Sequence, residues 1–278
     1  MGVAIDESAA ALLLAYLDAM LTVNEHINLT GVRDREQAVV LHALDSLAFG
    51  LTESRPSHAL DLGTGNGFPG VAVAMLHPRT SVVLLDRTAK KIRAIGACLL
   101  TARIQGVETA TVDAAQAPGL HKEMRGAFDL VVARAVGAPA EMAQMAKPLL
   151  SQKGQLVLWL DAAAEAPAQL DGMKRERDIG YDLPEPAARH RRLVIYRRAE
   201  ARSPSRANSG PRRAVPGTGP SRNRRVPGTT KPPRSYQTHI YAGSLGNQRV
   251  VISSISGMLV TVTRPNRPRC SSLLVLDG

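Results

Sequence analysis

Four glycines fall within eight residues, at Gly63, Gly65, Gly67 and Gly70, directly after the apolar run Ala59 to Leu62. Glycine admits positive φ and lets the backbone approach a ligand closely, while Pro69-Gly70 suits the opening of a helix. A loop of bare backbone N–H groups between a strand and a helix start can hold a polar ligand. Asp61 stands two residues before the loop, and Asp86 ends the next apolar run, Ser81 to Asp86. His42, Asp45 and Ser46 lie about one turn apart on an expected helix. They read first as a hydrogen-bonded cluster bracing that helix and second as direct substrate contacts. Arg134, at the end of an apolar run, offers a guanidinium for an anion or a carbonyl oxygen. Its rival role is an internal salt bridge, for instance to Asp61 or Asp86.

These residues are spaced by an alternation of elements. Leu13, Leu14, Leu17, Met20 and Leu21 recur at helical spacing over 8–23. A second helix begins at Asp34, whose carboxylate can cap it while Gln37 reaches back, and Val40, Leu44 and Leu47 form its buried stripe. From residue 59 the pattern is strand, loop, helix, repeated. Strands are expected at 59–62, 81–86, 107–112, 128–133, 154–160 and 192–197, with helices at 71–76, 89–101 and 141–150. Strands apolar on both faces between helices point to an α/β fold, a mostly parallel sheet with helices on both faces.

The chain has 278 residues and a net charge of +11, but the charge is unevenly placed. Residues 199–278 hold 13 Lys and Arg against Glu200 and Asp277, leaving 22 residues of each sign in 1–198. The same tail holds half of the 18 prolines, and Val215-Pro-Gly-Thr is echoed at Val226-Pro-Gly-Thr. Residues 199–235 are expected to be disordered, and 249–263 to form one or two strands. The division expected is a helical extension over 1–57, a ligand-binding core over 58–198 and a basic tail over 199–278. Two cysteines, Cys98 and Cys270, exclude a disulfide framework and a multi-cysteine zinc site. No metal site, membrane span or targeting segment is expected, and a cytoplasmic location fits.

Gly65, Gly67 and Gly70 spell G-x-G-x-x-G, which leaves open a nucleotide-binding regulatory or NAD-dependent oxidoreductase domain. With Asp61 the pattern becomes Asp-x-Gly-x-Gly-x-Gly, which resembles motif I of class I S-adenosylmethionine-dependent methyltransferases. Asp86 then resembles the acid that binds that cofactor's ribose. Further signatures follow in order: Asn28-Leu-Thr-Gly-Val-Arg-Asp34, His42-Ala-Leu-Asp-Ser46, Leu60 to Gly70, Leu84-Leu-Asp86 with Lys90-Lys-Ile-Arg93, and Ala133-Arg-Ala135. Together, over about residues 8–198, they resemble the bacterial 16S ribosomal RNA guanine-N7 methyltransferases, also called glucose-inhibited division protein B.

The resemblance implies a Rossmann-like class I methyltransferase fold and S-adenosylmethionine as cofactor. It implies Gly63, Gly65, Phe68, Asp86, Ala114, Ala115 and Arg134 as cofactor-binding residues, with Arg134 also catalytic. It further implies 16S rRNA, free or in a small ribosomal subunit particle, as the partner of a monomer. Asn28, His42, Asp45, Lys90, Lys91 and Arg93 become candidates for RNA contact. Guanine N7 has a lone pair and no proton to lose, so no general base is required. Ala133-Arg-Ala-Val replaces the Asp/Asn-Pro-Pro-Tyr/Phe of amino-group methyltransferases, and Cys98 sits mid-helix rather than as a nucleophile. The sequence departs from the family at Ala115, often Glu, at Leu41, commonly basic, and at 158–163, which lacks Leu-Lys-Gly.

Overall fold

The computed structural model describes residues 3–134 and 137–198, together with the backbone of 249–255 and 258–263. The disorder expected at 199–235, along with Ala135 and Cys270, lies outside the described residues.

Helix α1 (Glu7–Asn24) starts at Asp6, whose side chain accepts from Ser8 N at 2.9 Å, and it buries Leu13, Tyr16, Leu17 and Met20 along one stripe. Asn24 fastens the connection that follows. Its Oδ1 accepts from Leu29 N and Thr30 N, and its Nδ2 donates to Thr30 O. Asp34 caps α2 (Arg35–Ala38) by accepting from Gln37 N at 2.8 Å, the backbone half of the expected capping box. The helix then passes through a π turn at Val39–Leu44 into α3 (Asp45–Leu47) and a 3-10 turn at Ala48–Thr52. Such π insertions concentrate at functional sites.

Beyond this helical run come β1 (His58–Leu62), α4 (Gly70–Leu76), β2 (Ser81–Asp86), α5 (Ala89–Thr101), β3 (Val107–Thr111), α6 (Ala117–Leu120), β4 (Phe128–Arg134), α7 (Pro139–Ala146) and β5 (Leu150–Asp161). The chain then adds β6 (Gln169–Leu170), β7 (Met173–Asp182) and β8 (His190–Arg198). The strands form one sheet in the order β3-β2-β1-β4-β5-β8-β7-β6. Strands β1 to β5 are parallel, and β8, β7 and β6 extend them antiparallel. Strand order reverses direction between β1 and β4, so the crevice beyond their carboxyl ends is a topological switch point, where open α/β sheets bind ligands.

Alternation along the strands sends side chains into two cores. Ala59, Leu84, Leu130, Val132 and Trp159 pack with α1, the 35–52 helical run, α4 and α5 on one face. Leu60, Leu62, Leu85, Val131 and Ala133 pack with Met142, Ala143 and Ala146 of α7 on the other. Helices therefore cover both faces, as the parallel strands require.

Several boundaries differ from the sequence expectation. The expected helix over 141–150 ends at Ala146, and Leu150 opens β5. Strands β6 and β7 were not expected. Strand β7 reads Met-Lys-Arg-Glu-Arg-Asp-Ile-Gly-Tyr-Asp, and long charged stems occupy half-buried positions where apolar residues would have revealed the period. Arg177, for example, donates to Thr52 O at 2.8 Å. In the tail, β9 (Arg249–Ile255) and β10 (Met258–Thr263) pair antiparallel, the second of the two outcomes expected for 249–263.

Candidate active site

A cleft of about 810 Å3 opens at the switch point, within the roughly 300–1,000 Å3 range of small-molecule sites. The glycine loop forms one wall. Gly63, Gly65 and Gly67 have φ of 70°, 58° and 91°, the left-handed region that favours glycine. The glycines serve different purposes. A Cβ at Gly65 would meet only Gly63 O, at 3.8 Å, so its backbone stays open to the cleft. A Cβ at Gly67 would lie 1.9 Å from the Tyr16 hydroxyl, and one at Gly70 would strike Leu84 and Asp61.

Asp61 anchors this loop from below. Its Oδ2 accepts from Thr64 Oγ1 at 2.7 Å and from Gly70 N at 2.8 Å, which satisfies an otherwise unpaired N–H at the start of α4. Its Oδ1 is buried without a partner among the described residues. Burial pushes the Asp61 carboxyl up to about 6, against the pull of the Thr64 and Gly70 hydrogen bonds. Asp61 thus shapes the loop rather than facing the cleft. Tyr16 supports the loop from α1, donating to Asn66 O at 2.9 Å and meeting the Phe68 ring edge-on at 5.5 Å.

Asp86 lines the cleft at the end of β2. Its Oδ2 accepts from Gly65 N at 3.2 Å and its Oδ1 from Thr88 N at 2.8 Å. A carboxylate has about four lone-pair sites, so acceptor capacity remains for a pair of hydroxyls. Ala114 lines the cleft beyond β3 together with Asp113, a residue the sequence reading passed over. Ala115 does not line it, and its N–H donates to Asp113 Oδ1 at 3.0 Å. The acid directly after the third strand was the available signal for Asp113.

Arg134 makes an internal salt bridge, with a partner other than the two acids named as examples. Its ion pair is with Asp45, at 3.1 Å, and not with Asp61 or Asp86. Its Nη1 also donates to Leu41 O at 2.9 Å, and its Nη2 donates to Phe68 O at 3.4 Å. The guanidinium lines the cleft, yet its donors are largely engaged in joining the π turn to the glycine loop.

Asp45 is the centre of a buried ionic knot. Its Oδ1 accepts from the Tyr181 hydroxyl and from Arg191 Nε at 3.4 Å, and its Oδ2 accepts from Arg134 and from Arg191 Nη2 at 3.4 Å. Trp159 Nε1 donates to the Asp45 carbonyl at 2.8 Å. Burial and then the Asp45 carboxylate raise the Tyr181 hydroxyl well above its ordinary value. Burial opposes the charge on Arg191, but Asp45, Tyr181 and Asp161 together hold its pKa above the ordinary value. The Asp45 carboxylate is engaged by these donors and the residue is 2 % exposed, at the lining of the cleft. His42, Asp45 and Ser46 are each met by the Arg134 guanidinium from β4.

His42 is buried against Phe68, with ring centroids 6.0 Å apart. Burial, and then the Arg134 charge, pull its pKa down to about 4. Arg134 Nη2 lies 3.5 Å from Nδ1 and Thr30 Oγ1 lies 2.9 Å from Nε2. A guanidinium has no lone pair to offer, so the neutral tautomer carries its proton on Nε2 and donates to Thr30. Cys98 is buried in α5 and its thiol is pushed up to about 11 by burial, as an inert core residue would be.

Of the remaining RNA candidates, Lys91 lines the cleft, whereas Asn28, Lys90 and Arg93 are exposed on the surface outside it. Arg87 and Arg189 line the cleft and were not singled out from sequence.

The family model described as GidB, rRNA small subunit methyltransferase G, matches residues 9–172. A ribosomal RNA small subunit methyltransferase G from Chromohalobacter salexigens is 37 % identical over 207 residues, covering 72 % of this chain and 93 % of its own length. Proteins of the same description from Lactococcus lactis and Acinetobacter baumannii are 31 % and 32 % identical, covering 64 % and 55 % of this chain and 79 % and 71 % of theirs. With more than half its length matched by that model, and with its glycine loop, Asp86 and Arg134 gathered at one cleft, this chain belongs to the rRNA small subunit methyltransferase G family.

Proposed function

We propose that this chain transfers a methyl group from S-adenosylmethionine to N7 of a guanine in 16S rRNA of the small ribosomal subunit. The observation that carries the proposal is the switch-point cleft, walled by Gly63 and Gly65 and ended by Asp86, in a chain of the rRNA small subunit methyltransferase G family. When bound, the cofactor supplies a methyl group already activated by a sulfonium.

The residues fit such a group. Gly65 leaves room beside the loop, and Asp86 keeps acceptor capacity for ribose hydroxyls. Asp113, Ala114 and Phe68 line the cleft, where Asp113 would offer an acceptor to an amino group and Phe68 an apolar wall. The chain's task is then to align N7 and exclude water, since N7 is a neutral lone-pair nucleophile with no proton to remove. His42 is neutral and its ring is fixed between Thr30 and Arg134, so it acts as packing. Arg134 is a positioning residue that sets the Phe68 carbonyl and the π turn relative to each other. The oxidoreductase alternative finds no support among the relatives, each of which is named a methyltransferase.

We assign the core to 58–198, with residues 1–57 as an extension whose helices complete one face of the sheet. Among the described residues no helix is long and apolar enough to cross a membrane. A monomer working in the cytoplasm is the reading that agrees with a ribosomal RNA substrate. Incubation with labelled S-adenosylmethionine and unmodified small-subunit RNA, followed by mapping of modified bases, tests the proposal. A single N7-methylguanine is expected. Methylation elsewhere, or tight binding of NAD without S-adenosylhomocysteine, would overturn it.

A further inference from the structure

The cleft carries cations at two places that the reading above leaves without a task. Arg87 directly follows β2, and Lys91 stands in the first turn of α5. Arg189 directly precedes β8, beyond the residues that the family model matches. All three line the cleft, and none makes an ion pair among the described residues. The nearby acids accept from other partners. Asp86 is buried and accepts two backbone N–H groups, Asp113 accepts from Ala115 N, and Asp161 is paired with Arg191.

Topology fixes the spacing of these cations. Strand β8 runs antiparallel to β5 with Arg191 opposite Asp161, the last residue of β5, so Arg189 lies at the carboxyl edge of the parallel strands. Arg87 lies at the same edge beyond β2. In the sheet order, β1, β4 and β5 separate β2 from β8. Four strand spacings put the two flanks roughly 19 Å apart. The glycine loop after β1 and Arg134 at the end of β4 lie between them. The Arg189 flank is also fastened: Leu183 N donates to Arg189 O at 2.8 Å, and Ala187 N and Ala188 N both donate to Pro184 O.

We infer that Arg189 on one flank, and Arg87 with Lys91 on the other, hold phosphates of the RNA strand on the two sides of the guanosine being methylated. This rests on the function proposed above. A strand laid along the carboxyl edge of the sheet meets a cation before and after the cofactor loop, while its central base enters the cleft. Modification enzymes that reach a base in this way take it out of its stack and hold the flanking backbone.

The test uses the full chain, unmodified small-subunit RNA and binding measured across a salt series. Arg189→Gln and Arg87→Gln each lower the slope of log affinity against log salt by about 0.7–0.9, as expected for one phosphate contact. Across roughly 50 to 200 mM salt, each loss shrinks the salt-induced fall in affinity by about threefold. The double variant lowers the slope by the sum of the two, and Arg189→Lys keeps it. S-adenosylhomocysteine affinity and melting temperature stay at the parent values, which shows that the variants are folded. An unchanged slope in folded Arg189→Gln, with the parent chain methylating RNA, overturns the clamp and leaves the activity standing. If the parent chain methylates no RNA, both fall together.

Discussion

The Asp45 knot sets a quantitative expectation. Asp45→Asn keeps the shape but removes the one carboxylate shared by Arg134 and Arg191, whose side chains are only 10 % and 12 % exposed. Removing one partner of a buried ion pair typically costs about 3–5 kcal/mol, because the remaining charge stays desolvated. Arg191 retains Asp161, so the larger share of the loss falls on Arg134. With a urea dependence of about 2 kcal/mol/M, the midpoint should fall by about 1.5–2.5 M. Tyr181→Phe removes one hydrogen bond to the same carboxylate and should cost about 1.5–3 kcal/mol alone. In the Asp45→Asn background it should cost much less, since the two residues share one interaction. S-adenosylhomocysteine titration should show weakened binding in Asp45→Asn, because Arg134 then holds Phe68 O less firmly. A midpoint shift below about 0.5 M at unchanged urea dependence, or full additivity with Tyr181→Phe, would refute the assignment of Asp45 as the organising anion.

Other outcomes follow from the loop and its buried titrating groups. Gly67→Ala puts a methyl group against the Tyr16 hydroxyl at a φ of 91°, so S-adenosylhomocysteine binding should fall more than tenfold; that figure is about 1.4 kcal/mol, less than the steric and backbone penalties combined. Tyr16→Phe leaves the Asn66 carbonyl without its donor and should lower stability by about 1–3 kcal/mol in a melting experiment. His42 has a depressed folded pKa of about 4, so its contribution is present above the unfolded value of 6.5 and is lost as pH falls toward 4. The loss is on the order of 3 kcal/mol, and His42→Asn should abolish that part of the acid limb. Asp61, raised to about 6, works in the opposite sense: stability declines as pH rises from 3.8 to 6, and Asp61→Asn should remove that decline in the same urea series.

Most of the parallel half was legible because β1, β2 and β4 are largely buried and read as apolar runs, whereas β3 is a partly exposed edge strand. The glycine loop and Asp86 were legible because positive φ and a strand-terminal acid leave local traces. The antiparallel half was not, because β7 fills half-buried positions with Arg175 and Arg177. The knot was hidden for a different reason. The sequence brings His42 and Asp45 together within one turn, but nothing local marks Tyr181 or Arg191 as partners of Asp45. Nothing local marks Asp45 as the ion-pair partner of Arg134 either, since 89 residues separate the two. Ala115 follows the cleft-lining Ala114 with its N–H turned to Asp113, a contact that no sequence signal marked.

The Asp45 knot also bears on biosynthesis. Tyr181 and Arg191 follow Asp45 by 136 and 146 residues. At roughly 5–20 residues per second, a ribosome needs roughly 7–29 s to deliver them. During that interval the nascent α3 holds an anion whose two latest partners do not yet exist, and the wall of the cleft that includes Arg189 is missing. The enzyme's pocket is therefore finished from the carboxyl side of the core, and a chain released before residue 191 would carry every cofactor residue without the clasp that sets them.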